Sequence, residues 1–153
     1  MNVKIYTDGS CRGNGQKENA GAWGFLVLRD DKVVAKMAVG EYNTTNQRME
    51  LKAAASACEY IENFVTKEDS IQIISDSAYL INCINDKWYE RWMSNGWTTS
   101  QKKPVINQDL WERLIPFFRK TNFSFKKCKG HAGEQYNEIV DGMVQSVTEA
   151  MLK

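Results

Sequence analysis

Four acidic residues occupy positions where a solvated surface charge is not expected. Asp8 follows the apolar run Ile5-Tyr6-Thr7, and Asp76 follows Ile73-Ile74-Ser75. Glu50 adjoins the apolar stripe of a predicted helix in Thr45-Asn46-Gln47-Arg48-Met49-Glu50-Leu51. Asp141 falls in the last helical segment, after Lys129-Gly130-His131-Ala132-Gly133. A strand that ends in Asp delivers a carboxylate to the rim of a sheet. Two such strands and two helical carboxylates can converge on one point, where like charges persist only if cations neutralise them. Oxygen ligands of this kind suit Mg²⁺, with Mn²⁺ as a possible substitute, better than thiols or imidazoles would. Two such ions flanking a phosphorus can activate water, stabilise the leaving oxygen and screen the phosphate. The expected chemistry is that of phosphates at a hard-metal site. His131, the only histidine, lies between Gly130 and Gly133 and titrates near neutrality, so it is a candidate for moving a proton there.

The elements that must position these residues follow from periodicity. Val3–Thr7 reads as a strand stopping at the turn-rich run Asp8–Gly15; Ala22–Arg29 and Val33–Val39 read as a hairpin about Asp30-Asp31. Met49, Ala53, Ala57, Tyr60, Ile61 and Phe64 keep helical spacing, with Thr44 or Thr45 as N-cap. Ile71–Ser75 is a short buried strand with a helix after it from Ala78. Leu110, Trp111, Leu114, Phe117 and Phe118 mark a further helix, Phe123 and Phe125 a strand, and Ile139 to Met151 a C-terminal helix. Antiparallel strands followed by βα crossovers predict an α/β fold, a mixed sheet with helices on its faces.

At 153 residues the chain is expected to form a single domain spanning 1–153. Its 42% hydrophobic and 25% charged content fits a globular protein, and no apolar run is long enough for a membrane span. The first residues lack a signal-peptide h-region, so a cytoplasmic location is expected. Cys11, Cys58, Cys83 and Cys128 show no Cys-x-x-Cys pair and read as reduced thiols rather than disulfides or zinc ligands. Net charge is +1, yet the segment from Asp86 to Gly130 holds ten Lys/Arg against four Asp/Glu. A basic stretch in a near-neutral chain suggests a polyanion contacted on one side, although it can equally be a solvated face.

Together, Thr7-Asp8-Gly9-Ser10-Cys11, Thr45 to Glu50, Ser75-Asp76-Ser77, Trp88…Trp92…Gly96-Trp97, Lys102-Lys103-Pro104-Val105, and Lys129 to Gly133 with Asn137 and Asp141 resemble ribonuclease H of type 1. The fragments run in family order over nearly the whole chain. The resemblance implies a five-stranded mixed sheet whose first three strands are antiparallel, flanked by helices. It implies an endonuclease, dependent on Mg²⁺, that cuts the RNA strand of RNA–DNA hybrids and leaves 5′-phosphate and 3′-hydroxyl ends. Asp8, Glu50, Asp76 and Asp141 become the metal ligands, with Asp8 and Asp76 nearest the scissile phosphate, and His131 aids proton transfer or product release.

Recognition of RNA requires hydrogen bonds to 2′-hydroxyls in a wide minor groove. By resemblance Cys11, Gly13, Asn14, Asn46 and Gln47 supply minor-groove contacts, although Gly13-Asn14-Gly15 is also ordinary turn chemistry, and Asn46 and Gln47 also suit a helix entry. Tyr79, Trp88 and Ser100 match a channel for the DNA strand, Lys102, Lys103 and Arg91 remain of a basic protrusion, and Thr45 and Asn107 match a DNA-phosphate pocket. Trp92 and Trp97 read as core of the protruding segment.

The chain departs from the family pattern at Asn43, where an arginine is common, and at Met93-Ser94-Asn95, Thr98 and Ile106, where relatives carry basic residues. Weaker hybrid binding with a shallower salt dependence follows. Gln16-Lys17-Glu18-Asn19 is a polar insertion in the loop beside the minor-groove residues. A hybrid-binding module without catalysis is the competing reading, disfavoured by the complete carboxylate set. A nuclease domain of a larger enzyme is the other, disfavoured by Met1 directly before the first strand; a monomer of low processivity is expected.

Overall fold

The computed structural model describes residues 1–13, 19–128 and 135–152. Three strands come first: β1 (Asn2–Arg12), β2 (Ala20–Arg29) and β3 (Lys32–Tyr42). Then follow α1 (Asn46–Glu62), β4 (Ser70–Ser75), α2 (Ala78–Asn85), α3 (Trp88–Asn95), α4 (Gln108–Phe118), β5 (Phe123–Lys127) and α5 (Gln135–Met151). The strands form one sheet in the order β3-β2-β1-β4-β5. The β1–β2 and β2–β3 pairs are antiparallel, and β1–β4 and β4–β5 are parallel. This is the mixed α/β sheet expected from the element order.

Period-2 alternation divides the core. Val3, Ile5, Trp23, Phe25 and Val27 face α1 and α4 in the larger cluster, whereas Tyr6, Leu26 and Leu28 face Val140 and Val144 of α5. The helix α1 packs tightly because its buried face is largely alanine: Ala53, Ala54 and Ala57 are fully buried beside Met49 and Leu51. Thr45 is its N-cap, the side-chain Oγ1 accepting from the Arg48 N–H at 3.1 Å. The hairpin turn between β2 and β3 puts both Asp30 and Asp31 at positive φ (48° and 69°), which aspartate tolerates.

One expectation is corrected. Strand β1 does not stop at Thr7 but continues through Asp8 to Arg12, paired residue for residue with Ala20–Gly24 of β2. The turn-like composition of Gly9-Ser10 has another cause. A Cβ at Gly9 would overlap the backbone of Met49 and Glu50, so the glycine permits α1 to lie directly on β1.

Candidate active site

The parallel β1–β4 ladder ends at the Thr7–Ser75 pair, and the next residue of each strand is an aspartate. Asp8 and Asp76 therefore emerge side by side where β4 terminates and β1 runs on. The close approach of α1 at Gly9 sets Glu50 on the same edge. The helix α5, packed on the opposite face of β1 and β2 through Val140 and Val144, contributes Asp141. Four carboxylates from four elements are thereby brought toward one edge of the sheet, where Asp8 neighbours Asp76 and Asp141, and Glu50 neighbours Asp76.

Their electrostatics show how closely they approach. Asp8 is buried, and its pKa is pushed up to about 8 from 3.8, first by burial and then by the charges of Asp76 and Asp141. Asp141 also lies within hydrogen-bonding reach of Asp8. Glu50 is raised by burial and by Asp76, against a lowering hydrogen bond from the Ser77 hydroxyl. Asp8 Oδ2 is buried and finds no hydrogen-bond partner. Among the described residues, no group of three or more His, Cys, Asp or Glu side chains stands ready-made to hold a metal ion. The donor set nonetheless fits a hard divalent cation: all oxygen, with one buried oxygen orphaned and the cluster short of positive charge. His131 and Asn14 lie outside the described residues.

Ser77 was not singled out from the sequence. Its Oγ accepts from the Leu80 N–H as N-cap of α2 (3.1 Å) while its hydroxyl serves Glu50, so the cap of one helix also positions the acid of another. A serine one residue past a strand-ending aspartate is the signal that could have revealed it.

Beside the carboxylates, the start of α1 is tied to β1. The Cys11 N–H donates to Asn46 Oδ1 at 2.6 Å, and the Cys11 thiol donates to the Thr44 carbonyl at 3.4 Å. The Cys11 side chain is therefore turned into the protein rather than toward a ligand. With its oxygen occupied, exposed Asn46 presents an N–H₂ donor, and Gln47 is exposed beside it. Asn19, in the polar insertion, clamps the same turn. Its Oδ1 accepts from Thr44 N (2.8 Å), its Nδ2 donates to Thr44 O (3.1 Å), and its carbonyl accepts from Asn43 N (3.1 Å). Gly13 follows β1 at positive φ (82°).

Thr45 and Asn107 are joined by Arg48, also absent from the sequence-based set. Arg48 donates to Asn107 Oδ1 (3.2 Å) and, through both terminal nitrogens, to Asp109 (3.0 and 2.8 Å). A cation in the first turn of α1 opposes the helix dipole, and an acid in the first turn of α4 supplies its counter-charge. Asn107 is buried at φ 65°; its amide nitrogen meets no acceptor in good geometry, with the Tyr79 hydroxyl nearby. That hydroxyl accepts from Trp111 Nε1 at 3.3 Å.

Trp88 and Ser100 line one groove together with Arg91, Trp92, Asn95 and Thr99. Trp92 packs between Trp88, Trp97 and Trp111 at centroid distances of 6.3, 5.9 and 5.6 Å, so it is both core and groove wall. The turn at Lys102 (φ 61°), closed by the Thr99 N–H to the Lys103 carbonyl, leaves Lys102 and Lys103 exposed.

Comparison with known proteins agrees with this fold. The RNase H family model matches residues 1–149. The chain is 42% identical to the ribonuclease H of Syntrophomonas wolfei subsp. wolfei, over 97% of each chain. It is 40% identical to that of Clostridium botulinum strain Hall, over 96% of this chain and 95% of the relative. Among solved structures, LC9-RNase H1, a type 1 RNase H with the type 2 active-site motif, superposes with a TM-score of 0.80 at 28% identity, covering 97% of this chain and 72% of that one. The PFV RNase H domain shares the fold, with a TM-score of 0.79 at 22% identity and coverage of 97% and 94%. On sequence along nearly its whole length, and on its fold, the chain belongs to the ribonuclease H family.

Proposed function

We propose that the protein is an endonuclease that hydrolyses the RNA strand of RNA–DNA hybrids, with divalent ions held by Asp8, Glu50, Asp76 and Asp141. The observation that carries this reading is the approach of four carboxylates to the β1–β4 edge, with Asp8 Oδ2 orphaned and its pKa raised by two of its neighbours. Bound Mg²⁺ or Mn²⁺ would neutralise that cluster and lower the pKa of a water for attack on phosphorus, leaving 5′-phosphate and 3′-hydroxyl ends.

The protein's own residues do the rest. Asp8 and Asp76, rigidly set by the last ladder pair, hold the reacting phosphate's surroundings in register. Glu50, hydrogen-bonded by Ser77 and one helical turn along α1 from Asn46, is assigned both to the carboxylate cluster and to a 2′-hydroxyl. The free N–H₂ of Asn46 donates to minor-groove acceptors, which matches the wide groove of an A-like duplex. Thr45 and Asn107, joined through Arg48, offer hydroxyl and amide donors to a DNA phosphate. The groove of Trp88 and Ser100, with Tyr79 behind it, carries the DNA strand, and Lys102 and Lys103 add phosphate contacts. His131 is assigned to proton transfer or product departure.

The five described strands belong to one sheet, which is consistent with a single catalytic unit; that this unit acts as a monomer is part of the proposal. Among the described residues no helix is long and apolar enough to cross a membrane. We separately propose a cytoplasmic location, where such hybrids form. Cleavage of a labelled hybrid beside RNA–RNA and DNA–DNA duplexes tests the substrate class. Cutting confined to the RNA of the hybrid supports it, and equal cutting of RNA–RNA overturns it.

A further inference from the structure

Asp141 is held by a side chain that is itself held. Gln145 Nε2 donates to Asp141 Oδ2 at 2.8 Å, and Gln145 Oε1 accepts from Arg12 Nη2 at 3.4 Å. Arg12 Nη1 also reaches Glu149 Oε1 at 3.5 Å. Asp141, Gln145 and Glu149 follow one another at helical spacing on one face of α5, and Arg12 is the last residue of β1. A glutamine amide has a donor end and an acceptor end. Here the donor meets the carboxylate and the acceptor meets the guanidinium, so both ends are used.

We propose that Gln145 is a positioning residue for Asp141, braced in turn by Arg12; this rests on the reading of Asp141 as a metal ligand. An amide donor orients a carboxylate without placing a full positive charge on it. The guanidinium stays one side chain back, where it competes less with an incoming cation. The brace also joins the carboxylate cluster to the end of β1, next to Cys11 and Gly13. Groups that orient metal-binding carboxylates contribute to cation affinity without touching the ion.

The test is Mn²⁺ binding to the free protein, followed by the paramagnetic resonance signal of unbound Mn²⁺, without nucleic acid. The wild-type protein, Gln145→Leu, Arg12→Met and Asp8→Asn are compared. Gln145→Leu is expected to weaken binding about tenfold, as loss of a carboxylate-orienting partner does. Arg12→Met is the sharper case, because removing a positive charge near a cation site should by Coulomb's law tighten binding. Bracing predicts a weakening instead, smaller than that of Gln145→Leu. In hybrid cleavage, Gln145→Leu should need more Mg²⁺ for half-maximal rate while keeping kcat at saturating Mg²⁺. Unchanged or tighter Mn²⁺ binding by both Gln145→Leu and Arg12→Met overturns the proposal. If instead the wild-type protein binds no Mn²⁺ that Asp8→Asn removes, the metal reading itself falls and the brace falls with it. Thermal melts in EDTA check that both variants remain folded.

Discussion

Gly9 of β1 and Glu50 of α1 are packed backbone to backbone, so closely that no Cβ fits at Gly9. That approach fixes α1, and with it Glu50, against β1. Gly9→Ala must push α1 outward, against rigid backbone rather than a flexible side chain. The expected cost is about 1–3 kcal/mol of stability, from overpacking. Hybrid cleavage should fall by about 100-fold, as it does when reacting groups are displaced by about 1 Å. Denaturant melts and single-turnover cleavage measure the two effects. Full activity in a folded Gly9→Ala protein would show that the approach of α1 does not position Glu50.

The raised pKa of Asp8 makes stability depend on pH in a defined direction. Below about pH 4 the carboxyl is protonated both folded and unfolded, and it costs nothing. As pH rises from there toward 8 the unfolded chain ionises while the folded protein retains the proton, so stability is lost through that window. The loss is about 1.4 kcal/mol for each pH unit traversed within that window. In EDTA, Asp8→Asn should therefore be more stable than the wild type at pH 8 and little different at pH 4. Added Mg²⁺ should restore the wild type at pH 8 and leave the variant unmoved. Equal melting temperatures of the two proteins at pH 8 without metal would contradict this.

Much of this site was legible because its residues sit at element ends that periodicity marks. Ile73-Ile74-Ser75-Asp76 predicted the strand that Asp76 follows, the α1 pattern predicted the helix that carries Glu50, and the element order predicted the mixed sheet. The length of β1 was not legible. Asp8-Gly9-Ser10 has turn composition, and only the packing of α1 explains a glycine inside a strand. The tertiary partners Ser77, Arg48, Gln145 and Asn19 escaped for a related reason. Their hydrogen bonds join segments far apart in sequence, or serve a neighbour whose role becomes clear only in space. The inward turn of Cys11 is of the same kind, since nothing local shows that its thiol meets Thr44.

Arg48 joins α1 to α4 and supports the Thr45–Asn107 pocket. Its pair with Asp109 is half-exposed, so Arg48→Met should cost no more than about 1 kcal/mol of stability. Steady-state kinetics should show KM for the hybrid raised several-fold with kcat nearly unchanged. A KM equal to that of the wild type would remove the pocket from substrate binding.

Lys102 and Lys103 are exposed on a chain whose protrusion is otherwise poor in basic residues. Replacing each by alanine should weaken hybrid binding and reduce the log–log salt slope by about 1 for each phosphate left without its lysine. Binding titrations across a salt series in EDTA measure it. A slope unchanged in the double variant would place the polyanion elsewhere on the surface.

The most direct test of the carboxylate site is cleavage of an end-labelled RNA–DNA hybrid by the wild type and by Asp76→Asn, with Mg²⁺ and with EDTA. Cutting of the RNA strand alone, abolished both by EDTA and by Asp76→Asn while hybrid binding persists, is the expected result. Cutting that survives either treatment would contradict a metal-dependent reaction at the β1–β4 edge.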